Sequence, residues 1–329
     1  MRISIIGTGA LASLMAARLA EQADVTMLGS WPEQLDAIEA HGLTLVEADG
    51  RAHTHALSAT DEPLLLEPVD VALVLVKSYQ TRTAVRRLRT LLTPDTLIVT
   101  LQNGLGNWDI LAQAYGARRV VQGVTSLGAA MVRPGVVRAA GDGPITLARV
   151  AANLHFDPFV ACLRTAGFTV ELVGEARGLL WGKLAVNAAI NPLTAVLRVP
   201  NGALAADPLR QVMMAAARET AVVAAAQGIR LPYPDAAERA LEVAQATAQN
   251  HSSMLQDVRR GSQTEIDAIC GAVIRAGQQT AVPTPVNAQL WRWVKSAEAG
   301  QPITDWKILV NGMVIDLAVL ALQSPSPNP

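Results

Sequence analysis

The chain has 329 residues, 50% of them hydrophobic but only 4% aromatic and 17% charged, and its 27 Lys+Arg against 28 Asp+Glu leave a formal net charge of −1. That length suits about two domains, and a near-neutral chain without a basic run lacks the Lys/Arg footprint of a nucleic-acid-binding protein. Its two cysteines, Cys162 and Cys270, form neither a CxxC nor a metal-type spacing, which excludes a disulfide framework and makes a reducing cytoplasm the expected compartment.

The chain opens Met1-Arg2-Ile3-Ser4-Ile5-Ile6, without a cleavable-leader pattern. Strand-length aliphatic runs occupy residues 3–6, 25–28, 71–76, 97–101 and 120–124. Between the first two, residues 10–22 carry Leu11, Leu14, Met15 and Leu19 at helical spacing. Strands separated by helices imply right-handed crossovers and a parallel sheet. Turn-rich residues 133–144 predict an antiparallel addition at the sheet edge, and a strand over 168–173 closes this half.

From about Glu175 the texture becomes Ala-rich and helical, with helices expected over 179–195, 210–227, 236–250 and 264–279 and proline-rich loops between them. The apolar run 308–322 is 15 residues long and contains Asn311 and Asp316, short of the roughly 20 needed to span a bilayer. It reads as a terminal helix over its own core, with a subunit contact in a homodimer as the other use. The expected architecture is an α/β Rossmann-type domain over 1–174 followed by an all-α domain over 175–329, with a disordered tail from about 323. No membrane association is expected.

The first chemical signal is Gly7-Thr8-Gly9-Ala10-Leu11-Ala12, a GxGxxA turn between a strand and a helix. Gly7 permits the tight turn, Gly9 lets backbone approach a pyrophosphate on the helix N-terminus, and Ala12 is the smallest substitute for the third glycine. An NAD site places an acid at the end of the second strand, but here that strand ends Leu28-Gly29-Ser30-Trp31. The missing carboxylate favours NADP(H), whose 2′-phosphate Ser30 can hydrogen-bond. No Arg stands in that stretch to complete such a site. Lys77 and Asn103 fall at the carboxyl ends of two further strands, where open α/β sheets bind ligands; a solvated lysine and a plain turn are the competing explanations.

A second signal lies in Trp181-Gly182-Lys183-Leu184-Ala185-Val186-Asn187…Asn191-Pro192-Leu193-Thr194. Lys183, Asn187 and Asn191 recur at i, i+4 and i+8 on one helix face amid apolar residues. Burying such groups without partners is costly. Pro192 is expected to kink or end the helix at Asn191.

These blocks resemble the ketopantoate reductase (2-dehydropantoate 2-reductase) family. The resemblance rests on the GxGAL turn, Lys77, Gln102-Asn103-Gly104-Leu105-Gly106, the lysine block, Pro200-Asn201-Gly202, Ser252-Ser253-Met254-Leu255-Gln256-Asp257 and Thr264-Glu265-Ile266-Asp267. It implies NADPH-dependent reduction of the 2-oxo group of ketopantoate to (R)-pantoate, in pantothenate and coenzyme A biosynthesis. Under it Lys183 is the proton donor and touches substrate, Asn187, Asn191 and Asn201 hold substrate hydroxyl and oxo groups, and Ser253 holds the carboxylate. Glu265 bonds the cofactor ribose and helps place the lysine. Asn103 and Lys77 face the nicotinamide ribose and the 2′-phosphate side, and Gly128-Ala129 supplies a backbone contact. Ser30 departs from the family pattern, which often has a basic residue there.

Two rival enzyme readings remain, a reductase of another branched 2-oxo acid and a β-hydroxyacid dehydrogenase, which also pairs a helical Lys with an Asn four residues on. A non-catalytic nucleotide-binding regulator is the rival of another class. Outside the resemblance, Ser253 and Asp257 also read as helix surface, and Glu265 as a partner for Arg259 or Arg260. His53 and His55 share a strand face without a third ligand, so no metal is expected.

Overall fold

Aliphatic strands and Ala/Leu helices alternate from the first residues, and the alternation builds a sheet buried on both faces. The structure, a computed structural model, describes residues 1–149, 153–301, Val310 and Gly312. It divides into a unit of Met1–Ala176 and a second unit from Arg177 onward.

The first unit runs β1 (Arg2–Ile6), α1 (Ala10–Leu19), β2 (Asp24–Leu28), α2 (Pro32–His41), β3 (Leu43–Val46), β4 (Ala52–His55), β5 (Ser58–Thr60), β6 (Val69–Val74), α3 (Thr81–Leu88), β7 (Leu92–Thr100), α4 (Asn107–Tyr115), β8 (Val120–Thr125), β9 (Gly128–Arg133), β10 (Val136–Gly141), β11 (Ile145–Ala148), α5 (Phe156–Thr165) and β12 (Val170–Val173). Eight strands form the main sheet in the order β5-β2-β1-β6-β7-β8-β11-β12. All its pairings are parallel except β8 with β11. Successive side chains serve opposite faces. Val71, Leu73, Leu97 and Val99 pack with Ile3, Ile5 and Met15 on one face, while Ala72, Val74 and Ile98 pack with Ala84, Leu88 and Leu111 on the other.

The section expected to add an antiparallel edge to this sheet mostly does something else. β9 and β10 turn at Pro134-Gly135 and join β3 and β4 in a separate four-stranded sheet, order β4-β3-β10-β9. Only β11 adds an antiparallel strand to the main sheet. The reason lies in α1, whose Ala12, Leu14, Met15, Ala16, Ala17 and Leu19 are all buried. A helix apolar on so many sides needs a cover away from the main sheet, and the small sheet supplies it. Buried Gln34 ties the layers, donating to Ser13 Oγ at 3.2 Å and accepting from Gly135 N at 2.8 Å.

The second unit contains α6 (Arg177–Leu197), α7 (Leu209–Ala226), α8 (Ala236–Ala246), α9 (Ser253–Arg259), α10 (Cys270–Thr280) and α11 (Pro285–Glu298). Helix α6 packs against α7, α8, α9 and α11, which buries 13 of its 21 residues. It runs through Pro192 to Leu197, in keeping with the helix expected over 179–195, and so does not end at Asn191. Proline lacks the N–H that would bond Ala188 O, and the buried Cys270 thiol lies 3.9 Å from that carbonyl. Burial, then the charge of Glu219, push the Cys270 thiol pKa up, so it keeps the hydrogen that it offers.

Two other helices are shorter than expected. Helix α8 ends at Ala246 because the chain turns there to pair with residues 201–202, and α10 starts only at Cys270. Before α10, Thr264 is anchored by its N–H and its hydroxyl, both 2.7 Å from Glu298 Oε1. The run 308–322 and the tail lie outside the described residues except for Val310 and Gly312. No described helix is long and apolar enough to cross a membrane.

Gly182 lies where α6 packs against the 232–233 loop. A Cβ there would sit 2.7 Å from Pro232 Cδ and 3.3 Å from Tyr233 Cε1, and Tyr233 OH donates to Gly182 O at 2.6 Å. Gly182→Ala gains about 1 kcal/mol of helix propensity but overpacks the contact at about 1–3 kcal/mol. We expect a lower urea midpoint than wild type; an unchanged or higher midpoint would show that the loop yields freely.

Candidate active site

Two groups of residues in the two units carry chemistry. In the first unit, β1 leads into Gly7, whose φ is +130°. A Cβ on Gly7 would lie 3.0 Å from the Leu75 carbonyl carbon and oxygen, so the turn needs glycine. Gly7 N donates to Leu28 O at 2.8 Å, binding the turn to the end of β2. At Gly9 a Cβ would meet nothing within 4 Å, which leaves open space before α1. The first bond of that helix is Ser13 N to Gly9 O, and no side chain caps it. The amides of Ala10, Leu11 and Ala12 therefore have no acceptor within the helix, and they fit a pyrophosphate. Thr8 and Ala12 are buried, and Leu11 is half-buried.

At the end of β2 there is no carboxylate. Gly29 packs on the turn so closely that a Cβ would be 2.2 Å from Thr8 Cγ2, and Ser30 beyond it is exposed. Sequence reasoning found no arginine here, but the fold brings one. Arg87 of α3 donates from Nη2 to Gly29 O at 3.0 Å and also to Asp61 O. A partner 58 residues away along the chain leaves no local signal.

Lys77 and Asn103 follow the carboxyl ends of β6 and β7. Lys77 N donates to Gln80 Oε1 at 3.3 Å. Gln102 Nε2 donates to Val76 O at 2.8 Å and to Thr81 Oγ1 at 2.9 Å, while Asn107 Nδ2 donates to Asn103 O at 2.9 Å. With Thr81 Oγ1 2.8 Å from Asn107 Oδ1, this buried relay fixes both strand ends. Ala129 belongs to β9 and pairs with Ala139 in the small sheet.

In the second unit, Lys183 and Asn187 are half-buried and Asn191 is buried along α6. Burial pulls the Lys183 ammonium down from 10.5 to about 8, opposed by the charge of Glu265. Glu265 is itself buried, at 5% exposure, while Arg259 and Arg260 are exposed. Thus Glu265 works on Lys183 rather than lying in the solvent with the arginines. Ser253 is exposed at the start of α9, whereas its neighbour Ser252 is buried and caps that helix through Leu255 N at 3.1 Å. Thr194 Oγ1 lies 2.7 Å from Ser252 Oγ, joining α6 to α9.

Asn201 shows hydrogen-bond logic that the sequence concealed. Its N–H donates to Asn250 O at 3.0 Å, and Gly202 N donates to Ala248 O at 3.1 Å. Thr247 donates its hydroxyl hydrogen to Val243 O at 2.7 Å, so its oxygen can only accept from Asn201, at 2.9 Å. The atom of Asn201 facing it is therefore the NH2. Asn201 Oδ1 is left pointing elsewhere, buried and, among the described residues, without a partner. A buried orphan acceptor is unfavourable unless a ligand or a water donates to it.

Comparison with known proteins supplies the family. Residues 3–152 match the model for ketopantoate reductase PanE/ApbA, and residues 175–298 match that for the C-terminal part of the same family. The chain belongs to the ketopantoate reductase family. It is 36% identical over 302 residues to a 2-dehydropantoate 2-reductase of Halobacterium salinarum, covering 91% of this chain and 99% of that one. The corresponding enzyme of Archaeoglobus fulgidus is 35% identical, over 91% of this chain and 98% of its own. A crystal structure of a PanE/ApbA family ketopantoate reductase from Ralstonia eutropha JMP134 superposes with a TM-score of 0.85 at 31% identity, covering 92% of this chain and 99% of that one. As a ketopantoate reductase family member the chain is an oxidoreductase acting on a CH–OH group and NAD(P)-dependent.

The depressed Lys183 pKa has a consequence for stability. Between about 8 and 10.5 the unfolded chain holds more protons than the folded one, so stability rises as pH rises through that window. In urea titrations wild type should gain on Lys183→Met across this window, and the gap should be constant below it. Parallel curves throughout would mean that Lys183 is not desolvated.

Proposed function

We propose that this protein reduces 2-dehydropantoate (ketopantoate) to (R)-pantoate with NADPH, Lys183 acting as the proton donor. The observation that carries this reading is a lysine at about 8 on a helix face shared with two asparagines. When bound, the cofactor supplies hydride to the 2-oxo carbon. The oxygen then gains negative charge, and the Lys183 ammonium stabilises that charge and transfers a proton to it. A donor poised near neutrality gives up its proton more readily than an ordinary lysine.

The other side chains have distinct tasks on this reading. Asn187 and Asn191 orient the oxo group and Ser253 binds the carboxylate. Glu265 holds the ammonium charged and bonds the cofactor ribose. Gly7, Thr8, Gly9, Ala10, Leu11 and Ala12 receive the pyrophosphate, while Lys77, Asn103 and Ala129 contact the rest of the cofactor. Asn201 Oδ1 accepts from the substrate's hydroxyl. That last role favours ketopantoate over branched 2-oxo acids that lack a hydroxyl, since a hydroxyl donates to the orphan acceptor and an alkyl group cannot. The expected setting is the cytoplasm.

The deciding experiment follows absorbance of the reduced nicotinamide with ketopantoate and either NADPH or NADH. Turnover with NADPH supports the whole reading, turnover only with NADH overturns the cofactor, and failure with both overturns the substrate.

Lys183→Ala should lower kcat at least ~10²-fold, the scale of a lost general acid, while NADPH still binds. In wild type kcat should fall as pH rises through about 8, because the donor is then deprotonated. Glu265→Gln removes the charge that raises the lysine pKa, so this limb should move to lower pH; a limb that stays in place argues against the pairing.

Thr247→Val removes the acceptor that sets the Asn201 amide. For ketopantoate we expect KM to rise about tenfold, the worth of one hydrogen bond, with a smaller change in kcat. For the analogue without the hydroxyl, 3,3-dimethyl-2-oxobutanoate, KM should stay put, and Thr247→Ser should restore the wild-type ratio. Equal losses on both substrates would reduce Thr247 to a structural residue.

A further inference from the structure

An anionic group on the cofactor's adenosine ribose needs a cation or several donors, and the end of β2 offers from its own sequence only the Ser30 hydroxyl. The fold adds a guanidinium. Arg87 is half-buried on α3, its Nη2 donating to Gly29 O at 3.0 Å and to Asp61 O. Those two carbonyls take the two hydrogens of Nη2. The Nη1 and Nε groups, which carry three further N–H donors, engage no acceptor among the described residues.

The two carbonyls fix where the charge is held. Gly29 N donates to Thr60 O at 3.0 Å, so Gly29 and Asp61 are neighbouring strand ends, and Arg87 straddles them immediately before Ser30. In dinucleotide folds the residue at this point reads the ribose 2′ position, an acid selecting the hydroxyl and a nearby Arg the phosphate. The acid is absent here. The carboxylates closest in sequence to the brace, Asp61 and Glu62, are exposed, and Glu62 is engaged with Leu64 N at 3.1 Å. Arg82, Arg86 and Arg89 of the same stretch add exposed positive charge.

We propose that Arg87 is the specificity residue for the cofactor 2′-phosphate, binding it together with Ser30 and replacing the basic residue missing from β2. A guanidinium pinned through one nitrogen keeps its remaining donors aimed without further ordering cost, and hydrogen bonds from it to phosphate are charge-assisted. This inference rests on the NADPH reading above.

The test measures equilibrium binding rather than turnover. Dissociation constants for NADPH and NADH are taken from nicotinamide fluorescence, and those for adenosine 2′,5′-bisphosphate and adenosine 5′-monophosphate from calorimetry. Wild type should prefer the 2′-phosphorylated member of each pair. Arg87→Met should weaken that member roughly 10- to 100-fold, as expected for lost charge-assisted hydrogen bonds, and change the other by less than about twofold. Arg87→Lys, which keeps the charge but not the two-carbonyl brace, should fall between. A wild-type preference that survives Arg87→Met overturns the inference alone. Equal weakening of both members also overturns it, since Arg87 would then only hold the loop. A wild type without preference overturns the NADPH reading along with it.

Discussion

The organisation of the helical unit follows from one cost, that of desolvating the Lys183 ammonium on an apolar helix. Burial lowers its pKa and the opposing charge of Glu265 limits the fall, leaving it at about 8, so a buried carboxylate helps to hold the charged state. Helix α6 must therefore be surrounded by neighbours that exclude water yet present a carboxylate and amides at chosen points. Its contacts with α7, α8, α9 and α11 provide the exclusion. The segment before α10, anchored by Thr264 to Glu298, provides the carboxylate. An isolated buried charge would neutralise instead.

The same unit shows how irregularity is tolerated where it is compensated. Pro192 removes a helix donor, and Cys270 faces the carbonyl left over. Thr247 ends α8, back-bonds its hydroxyl to Val243, and by doing so decides which end of the Asn201 amide is presented. In the first unit the turn after β1 offers an anion chiefly backbone, through a glycine that a side chain would obstruct and helix amides without acceptors within the helix.

Much of the fold was legible from periodicity. Strand runs of four to six aliphatic residues mapped onto β1, β2, β6, β7 and β8 because a strand buried on both faces must be apolar throughout. The errors have physical causes too. The 133–144 turns announced antiparallel strands correctly, but nothing local says that α1 needs covering, so their sheet was misplaced. The helix over 264–279 was extended too far because a buried turn next to a helix has the same apolar texture as the helix. At Pro192 the sequence leaves a kink or an end open, because the compensating thiol comes from 78 residues further on.

By itself the sequence determined the GxG turn and its place between strand and helix, the lysine–asparagine face of α6, and the sequence of an α/β half and a helical half. These features are local, set by steric tolerance at single residues and by the helical repeat, and so they can be read along the chain. Only the tertiary structure decided that Glu265 acts on Lys183 and not on Arg259 or Arg260, that Asn201 keeps an oxygen unpaired among the described residues because Thr247 cannot donate to it, and that Arg87 stands at the end of β2. Those relations join residues 46 to 82 positions apart. They depend on which surfaces pack together and on which hydrogen each donor has already committed, and neither is encoded by spacing.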